Sequence, residues 1–253
     1  MAKNILSVNV DAKTSKGTAR GFLTGILYLA PAKESGREVC RYRSAGCTAA
    51  CLYTAGRGGF NSVQRARKAK TERFFRERDS FMADLVYSIQ ALERKAAREG
   101  LTPVVRLNGT SDIPWERVPV KDSPKGPARN VFQLFPNVQF YDYTKWPLAK
   151  RSNLPRNYDL TFSYADGMDR ADVVQAMDRS RVAVVFNTPK GQELPAEWNG
   201  FRVVDADTTD LRFLEPKGIV AGLRAKGAAR KDRSGFVVQP NTVRRGWANV
   251  AIN

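Results

Sequence analysis

The chain has 253 residues, 42% of them hydrophobic, which is enough for one large α/β domain or two small ones. No apolar run reaches the roughly 18 residues of a membrane span, and Met1–Val10 lacks the pattern of a secretory signal, so the expected compartment is a reducing cytoplasm. A net charge of +17 suits a polyanionic partner, and the absence of histidine leaves acid–base chemistry to Asp, Glu, Lys, Tyr or Cys.

In chain order, Gly21–Ala30 is an apolar strand closed by Pro31. The loop after it holds all three cysteines, as Cys40-Arg-Tyr-Arg-Ser-Ala-Gly-Cys47-Thr-Ala-Ala-Cys51. Three soft thiolates so close together in a reducing compartment predict a metal centre rather than a disulfide framework. With no histidine and no fourth cysteine, a 4Fe–4S cluster with one open iron fits better than structural zinc, and a 3Fe–4S cluster is the variant. Gly46 would let the loop turn, Ser44, Ala45, Ala49 and Ala50 would leave room, and Arg37, Arg41, Arg43 and Arg57 would offset an anionic cluster.

Cys51–Phe60 is a glycine-rich turn, and a long helix is predicted from about Ser62 to Glu99, capped by Gly100. Phe81, Leu85, Ile89 and Leu92 share one face of its second half. Arg65, Lys68, Arg73 and Arg76 share a broad arc of its first half. Further strands are expected at Thr102–Leu107, Val138–Tyr143, Tyr158–Ser163, Arg181–Asn187, Phe201–Asp205 and Ile219–Arg224, with a helix near Asp169–Ser180. The Pro-rich stretch Val118–Arg129 is a loop that could cover a site. This pattern predicts a single α/β domain over 1–253, a partial or full (β/α) barrel of about seven mostly parallel strands with a doubly wound open sheet as the competitor, with the cysteine loop at 40–51 and a basic C-terminal segment at 224–253.

The carboxyl ends of parallel strands form the working face of such folds. Here they carry Asn108, Gly109, Thr110, Asp112, Asp142, Lys145, Asp205 and Lys226. These residues are expected to face one cofactor-binding cavity. Asp142 and Lys145 would pair, Asp112 and Asp205 would bind ribose hydroxyls or an amine, and Lys226 would hold a small anionic ligand. Basic residues also gather in two stretches. Ten basic and two acidic residues lie between Arg37 and Arg76, and seven basic and one acidic between Arg224 and Arg245. DNA or RNA is therefore an expected partner.

The stretches Cys-x6-Cys-x3-Cys-Leu-Tyr-Thr-Ala-Gly-Arg-Gly, Val-Arg-Leu-Asn-Gly-Thr-Ser-Asp, Phe-Tyr-Asp-Tyr-Thr-Lys and Gly-Leu-Arg-Ala-Lys-Gly resemble a family of phage-encoded proteins labelled "gene product 88". The resemblance runs from about Gly21 to Val238 and implies a bacterial virus as the source. More loosely, a three-cysteine loop after the first strand is similar to that of radical S-adenosylmethionine enzymes, whose cysteines are separated by three and then two residues rather than six and then three. That likeness implies S-adenosylmethionine as a second cofactor, with Asn108-Gly109-Thr110 near its amine. Two main functions are thus expected: an iron–sulfur enzyme with an open iron, or a nucleic-acid-binding protein whose cluster is structural or redox-sensing. A zinc-stabilised binding module is the third.

Overall fold

The computed structural model describes residues 3–9, 16–121 and 129–239. Its elements, in chain order, are β1 (Ser7–Val8), β2 (Phe22–Ile26), α1 (Ala32–Ser35), α2 (Ala45–Ala49), α3 (Asn61–Arg76), α4 (Arg78–Glu99), β3 (Thr102–Arg106), α5 (Val131–Leu134), β4 (Gln139–Thr144), β5 (Tyr158–Ser163), α6 (Arg170–Arg179), β6 (Val182–Phe186), β7 (Glu197–Trp198), β8 (Phe201–Asp205), β9 (Val220–Arg224) and β10 (Val237–Val238). The seven expected strands are present as β2 to β6, β8 and β9, and β1, β7 and β10 add two residues each.

The strands pair in the order β1-β2-β3-β4-β5-β6-β9-β8-β7, with β10 also on β6. β2 with β3, β3 with β4, β5 with β6, β6 with β9, β6 with β10 and β8 with β9 run parallel, whereas β1 with β2 and β7 with β8 run antiparallel. The sheet is therefore mixed α/β and mostly parallel, as expected, but it is open rather than a full barrel. One reason is the placing of the last strands. The chain leaves β6, lays down β7 and β8 first, and only then inserts β9 between β6 and β8. That reversal leaves the short antiparallel β7 as the outer strand.

By compactness the chain divides into two units. The first comprises residues 1–40, 56–142 and 153–159, and the second 41–55, 143–152 and 160–253.

In the first unit, β2 and β3 run parallel under α4. The face predicted for α4 is the one it buries: Phe81, Leu85, Ile89 and Leu92 are all within the core. Gly25 permits the close approach, because a Cβ there would lie 3.0 Å from Leu92 Cδ2. Gly100 ends α4 in the left-handed conformation, φ 65°, as its position after the apolar face predicted.

The single long helix expected from Ser62 to Glu99 is two helices, broken at Glu77 (φ −128°, ψ 51°). Tertiary pairing makes the break worthwhile. Arg73 reaches across to Asp84 Oδ2 at 2.8 Å and to Ser80 Oγ at 3.1 Å, while Phe74 packs edge-on against Phe81. Arg73 is consequently turned away from the solvent-facing arc on which the sequence placed it.

The N-terminal strand segment is clipped to both helices. Lys3 N–H donates to Asp84 Oδ1 (2.8 Å), Ile5 N–H to Ser88 Oγ (2.9 Å), and Lys70 Nζ to the Ile5 carbonyl (3.3 Å). Burial, with Arg67 nearby, pushes the Lys70 ammonium down to about 8. Lysine titrates near 10.4 when unfolded, so the unfolded chain binds more protons between about pH 8 and 10.4, and stability rises with pH across that window. Lys70→Met should stabilise the protein by about 2 kcal/mol at pH 7 and by little above pH 10.5. Urea denaturation at the two pH values checks this, and an equal gain at both would refute it.

Candidate functional site

The strand-end residues of the first unit form a packed network. Asp142, on β4, has no exposed side-chain surface. Its Oδ1 accepts from Asn108 N–H (2.7 Å), and its Oδ2 from Tyr158 Oη–H (2.9 Å) and Asn108 Nδ2 (3.3 Å). The buried Arg106 guanidinium lies 4.0 Å from Oδ1 and supplies the countercharge. Asn108 in turn organises the loop that follows β3. Its Oδ1 accepts from Ser111 Oγ, Ile113 N–H and Trp115 Nε1, and its Nδ2 donates to the Ile113 carbonyl. Thr110 Oγ1 donates to the Leu29 carbonyl at 2.5 Å, and Asp112 N–H donates to the Val39 carbonyl at 2.7 Å. Gly109 lies against Tyr28, whose ring would stand 2.5 Å from an added Cβ. Asn108 and Asp142 are thus brought together, and the bonds they make are those of a locked loop.

In the second unit, Lys145 donates to Ser163 Oγ (2.8 Å) and to the carbonyls of Ser163 (3.2 Å) and Tyr164 (3.4 Å), with the Phe236 ring 5.2 Å away. Two carbonyls, a hydroxyl and a ring face suit an ammonium that holds a turn. Asp205 and Lys226 meet through Arg224 and Asp207, strand-end residues outside the expected site. Arg224 bonds Asp205 Oδ2 (2.8 Å) and Asp207 Oδ2 (3.2 Å), and Lys226 bonds Asp207 Oδ1 (2.8 Å). Partial burial pushes the Asp207 carboxyl up, but hydrogen bonds from Lys226 and Arg224 outweigh it and hold it below its ordinary range. The alternation Asp205-Ala-Asp207 at a strand end, facing Arg224-Ala-Lys226 on the next strand, was the available clue.

The cysteine loop departs most from expectation. Cys40 belongs to the first unit, Cys47 and Cys51 to the second, and all three are half-buried thiols. Among the described residues, which include them, no group of three or more His, Cys, Asp or Glu is placed to hold a metal ion. The predicted iron–sulfur cluster, and the S-adenosylmethionine that would have bound its open iron, are therefore overturned.

The small residues serve packing instead. Ser44 caps α2 by accepting from Cys47 N–H (3.0 Å), and it donates to Asp166 Oδ1. Asp166 Oδ2 also accepts from Gly46 N–H (3.1 Å), so a carboxylate already occupies the positive end of α2. A Cβ on Gly46 would stand 1.9 Å from Ser234 Oγ and 2.8 Å from Phe236 Cβ. Ala50 packs with Ala225, Ala229 and Val237. Nor are all the arginines that were expected to balance a cluster available: Arg37 makes a two-bond pair with Glu72 (2.8 and 3.1 Å).

The basic surface lies on α3. Between Gly56 and Thr71 the chain has five basic residues and no acidic one. Arg67 and Lys70 turn inward, Arg67 onto the Tyr28 ring at 4.5 Å. Arg57, Arg65 and Lys68 are exposed. Lys68 lies 3.3 Å from Glu34, while among the described residues Arg57 and Arg65 meet no carboxylate. Of the second basic stretch, Arg224 and Lys226 are committed to Asp205 and Asp207, and residues 240–253 lie outside the described residues. The expected cover at Val118–Arg129 has its stems joined by a Val120–Arg129 bridge, and its residues 122–128 also lie outside. No helix among the described residues is long and apolar enough to cross a membrane.

A family model described as gene product 88 matches residues 5–240, and the chain belongs to that family. No curated protein and no solved structure matches the chain, so the looser likeness to radical S-adenosylmethionine enzymes gains no support.

Two substitutions test these contacts. Asp142→Ala should destabilise by about 3–5 kcal/mol, because it strands the buried Arg106 charge. Gly46→Ala should cost about 1–3 kcal/mol by forcing α2 off Asp166 and Ser234. Thermal or urea unfolding reads both, and near-wild-type stability would show that the contact carries no weight.

Proposed function

We propose that this member of the gene product 88 family is a nucleic-acid-binding protein that grips phosphates through the exposed face of α3 and the turn before it, without reading sequence. The observation that carries the reading is the state of the charges on that face. Arg57 and Arg65 are exposed and meet no carboxylate among the described residues, and Lys68 lies one turn beyond Arg65. Other cations are spent on carboxylates, as Arg73 on Asp84, Arg37 on Glu72 and Arg224 on Asp205. Guanidinium groups left in solvent along a helix are suited to displacing the counterions condensed on a phosphate backbone. The net charge of +17 adds long-range attraction and fast encounter.

Binding of a labelled 30-mer, followed by fluorescence anisotropy, should weaken steeply as salt rises from about 50 to 200 mM. Arg57→Glu with Arg65→Glu should lower affinity at least tenfold and flatten the log–log salt slope by about 0.7–0.9 per lost contact. A matched reversal on α4, Arg94→Glu with Arg98→Glu, changes net charge equally and should have a much smaller effect. Equal losses in the two pairs would reduce the binding to net charge alone, and no binding at low salt would end the proposal.

A further inference from the structure

We infer that the ligand of the α3 face is single-stranded nucleic acid, with Phe60 as the platform on which an unstacked base lies. The inference rests on the phosphate-binding reading above and adds to it the class of strand. Phe60 is 61% exposed, more than any other large hydrophobic side chain in the described residues. It is also the N-cap residue of α3, and no side chain caps the N-terminus of that helix. Ser, Thr, Asp or Asn at this position would satisfy an orphan N–H of the first turn. Phenylalanine forgoes that bond and leaves a ring in water, so neither helix chemistry nor core packing accounts for it.

The backbone beneath the ring is nevertheless well held. Phe60 N–H donates to the Arg57 carbonyl (3.2 Å), Gln64 N–H to the Phe60 carbonyl (3.0 Å), and Gln64 Nε2 to the Gly58 carbonyl (3.0 Å). The ring is therefore presented from a fixed turn. Two exposed cations lie near it in the chain: Arg57 three residues before, and Arg65 about 7.5 Å further along the helix axis.

An exposed ring with solvent-facing guanidinium groups close by in the chain matches a strand whose bases are turned out while its phosphates run alongside. A duplex offers phosphates equally well, but its base faces are already stacked and only their edges are reachable. The cations thus serve either form, whereas the ring serves only the single strand. Stacking is blind to the sugar, so the recognised chemistry is shared by DNA and RNA.

The test compares a labelled 12-nucleotide single strand, as DNA and as RNA, with a 12-base-pair duplex of the same sequence, all at about 50 mM salt. The wild-type protein should favour either single strand over the duplex, and the two single strands should bind within about threefold of each other, as stacking tolerates both. Phe60→Ala should lower single-strand affinity about fivefold or more and collapse the single-strand preference, while Phe60→Trp should restore it. An unchanged thermal midpoint confirms that both variants fold. Salt-dependent binding with no single-strand preference, or an unaltered preference in Phe60→Ala, would overturn the stacking inference and leave the phosphate reading standing. A preference above about tenfold for one sugar would also overturn stacking as the selecting contact. Failure to bind any of the three at low salt would instead overturn the phosphate reading itself.

Discussion

Asp142 carries a carboxylate into a place without solvent, and much of the first unit is arranged around satisfying it. A buried charge without partners costs several kcal/mol, so its surroundings must converge on it. They do so from two strands and a loop: Arg106 from β3, Asn108 from the loop beyond it, and Tyr158 from the start of β5. Fixing Asn108 fixes the loop through Ile113 and Trp115. Trp115 is fully buried against Phe74, with ring centroids 5.1 Å apart, and Phe74 belongs to α3. Orientation of the basic helix therefore traces back, contact by contact, to one carboxylate in the sheet.

The same helix shows how a strongly basic chain sorts its cations. Arg67 lies over Tyr28, Lys70 holds the N-terminal segment, and Arg73 spans the break to α4. Each is inward-facing and structural. Arg65 and Lys68 occupy the remaining side and, with Arg57 in the turn before the helix, stay in solvent. Net charge states only the total. The division between cations used for folding and cations left over is set by the helix period and by what α3 packs against.

Sequence periodicity was informative where one element buries one face against a neighbour. The α4 stripe, Gly100, β5 and β8 follow directly from the spacing of apolar residues and the turn chemistry beside them. It failed where a distant partner decides. Nothing local announces the break at Glu77, since Arg73 and Asp84 are reasonable helix residues and only their pairing bends the chain. Strand order is equally invisible to periodicity, so a run of parallel strands read as a barrel although β9 slips between β6 and β8. The cysteines were the strongest local pattern and the most misleading. Small residues around Cys47 were interpreted as room for a cofactor, but an absent side chain is also what two backbones need to meet, and Gly46 against Ser234 is such a meeting. Of the expected site, Asn108 with Asp142 was legible as a pair of polar strand ends, but their role as mutual partners was not.

One edge of β6 is shared. β5 pairs with its beginning, Phe162 against Val182, and β10 with its end, Val237 against Val185. The strand that completes this edge, β10, is the last in chain order among the described residues, and the neighbouring Ser234 and Phe236 form the wall against which α2 seats. Until β10 has docked, the end of that edge exposes bare N–H and C=O groups, the kind of edge that recruits foreign strands. A chain without β10 would therefore leave Val185 and Phe186 unpaired along that edge, inside the sheet rather than at its rim.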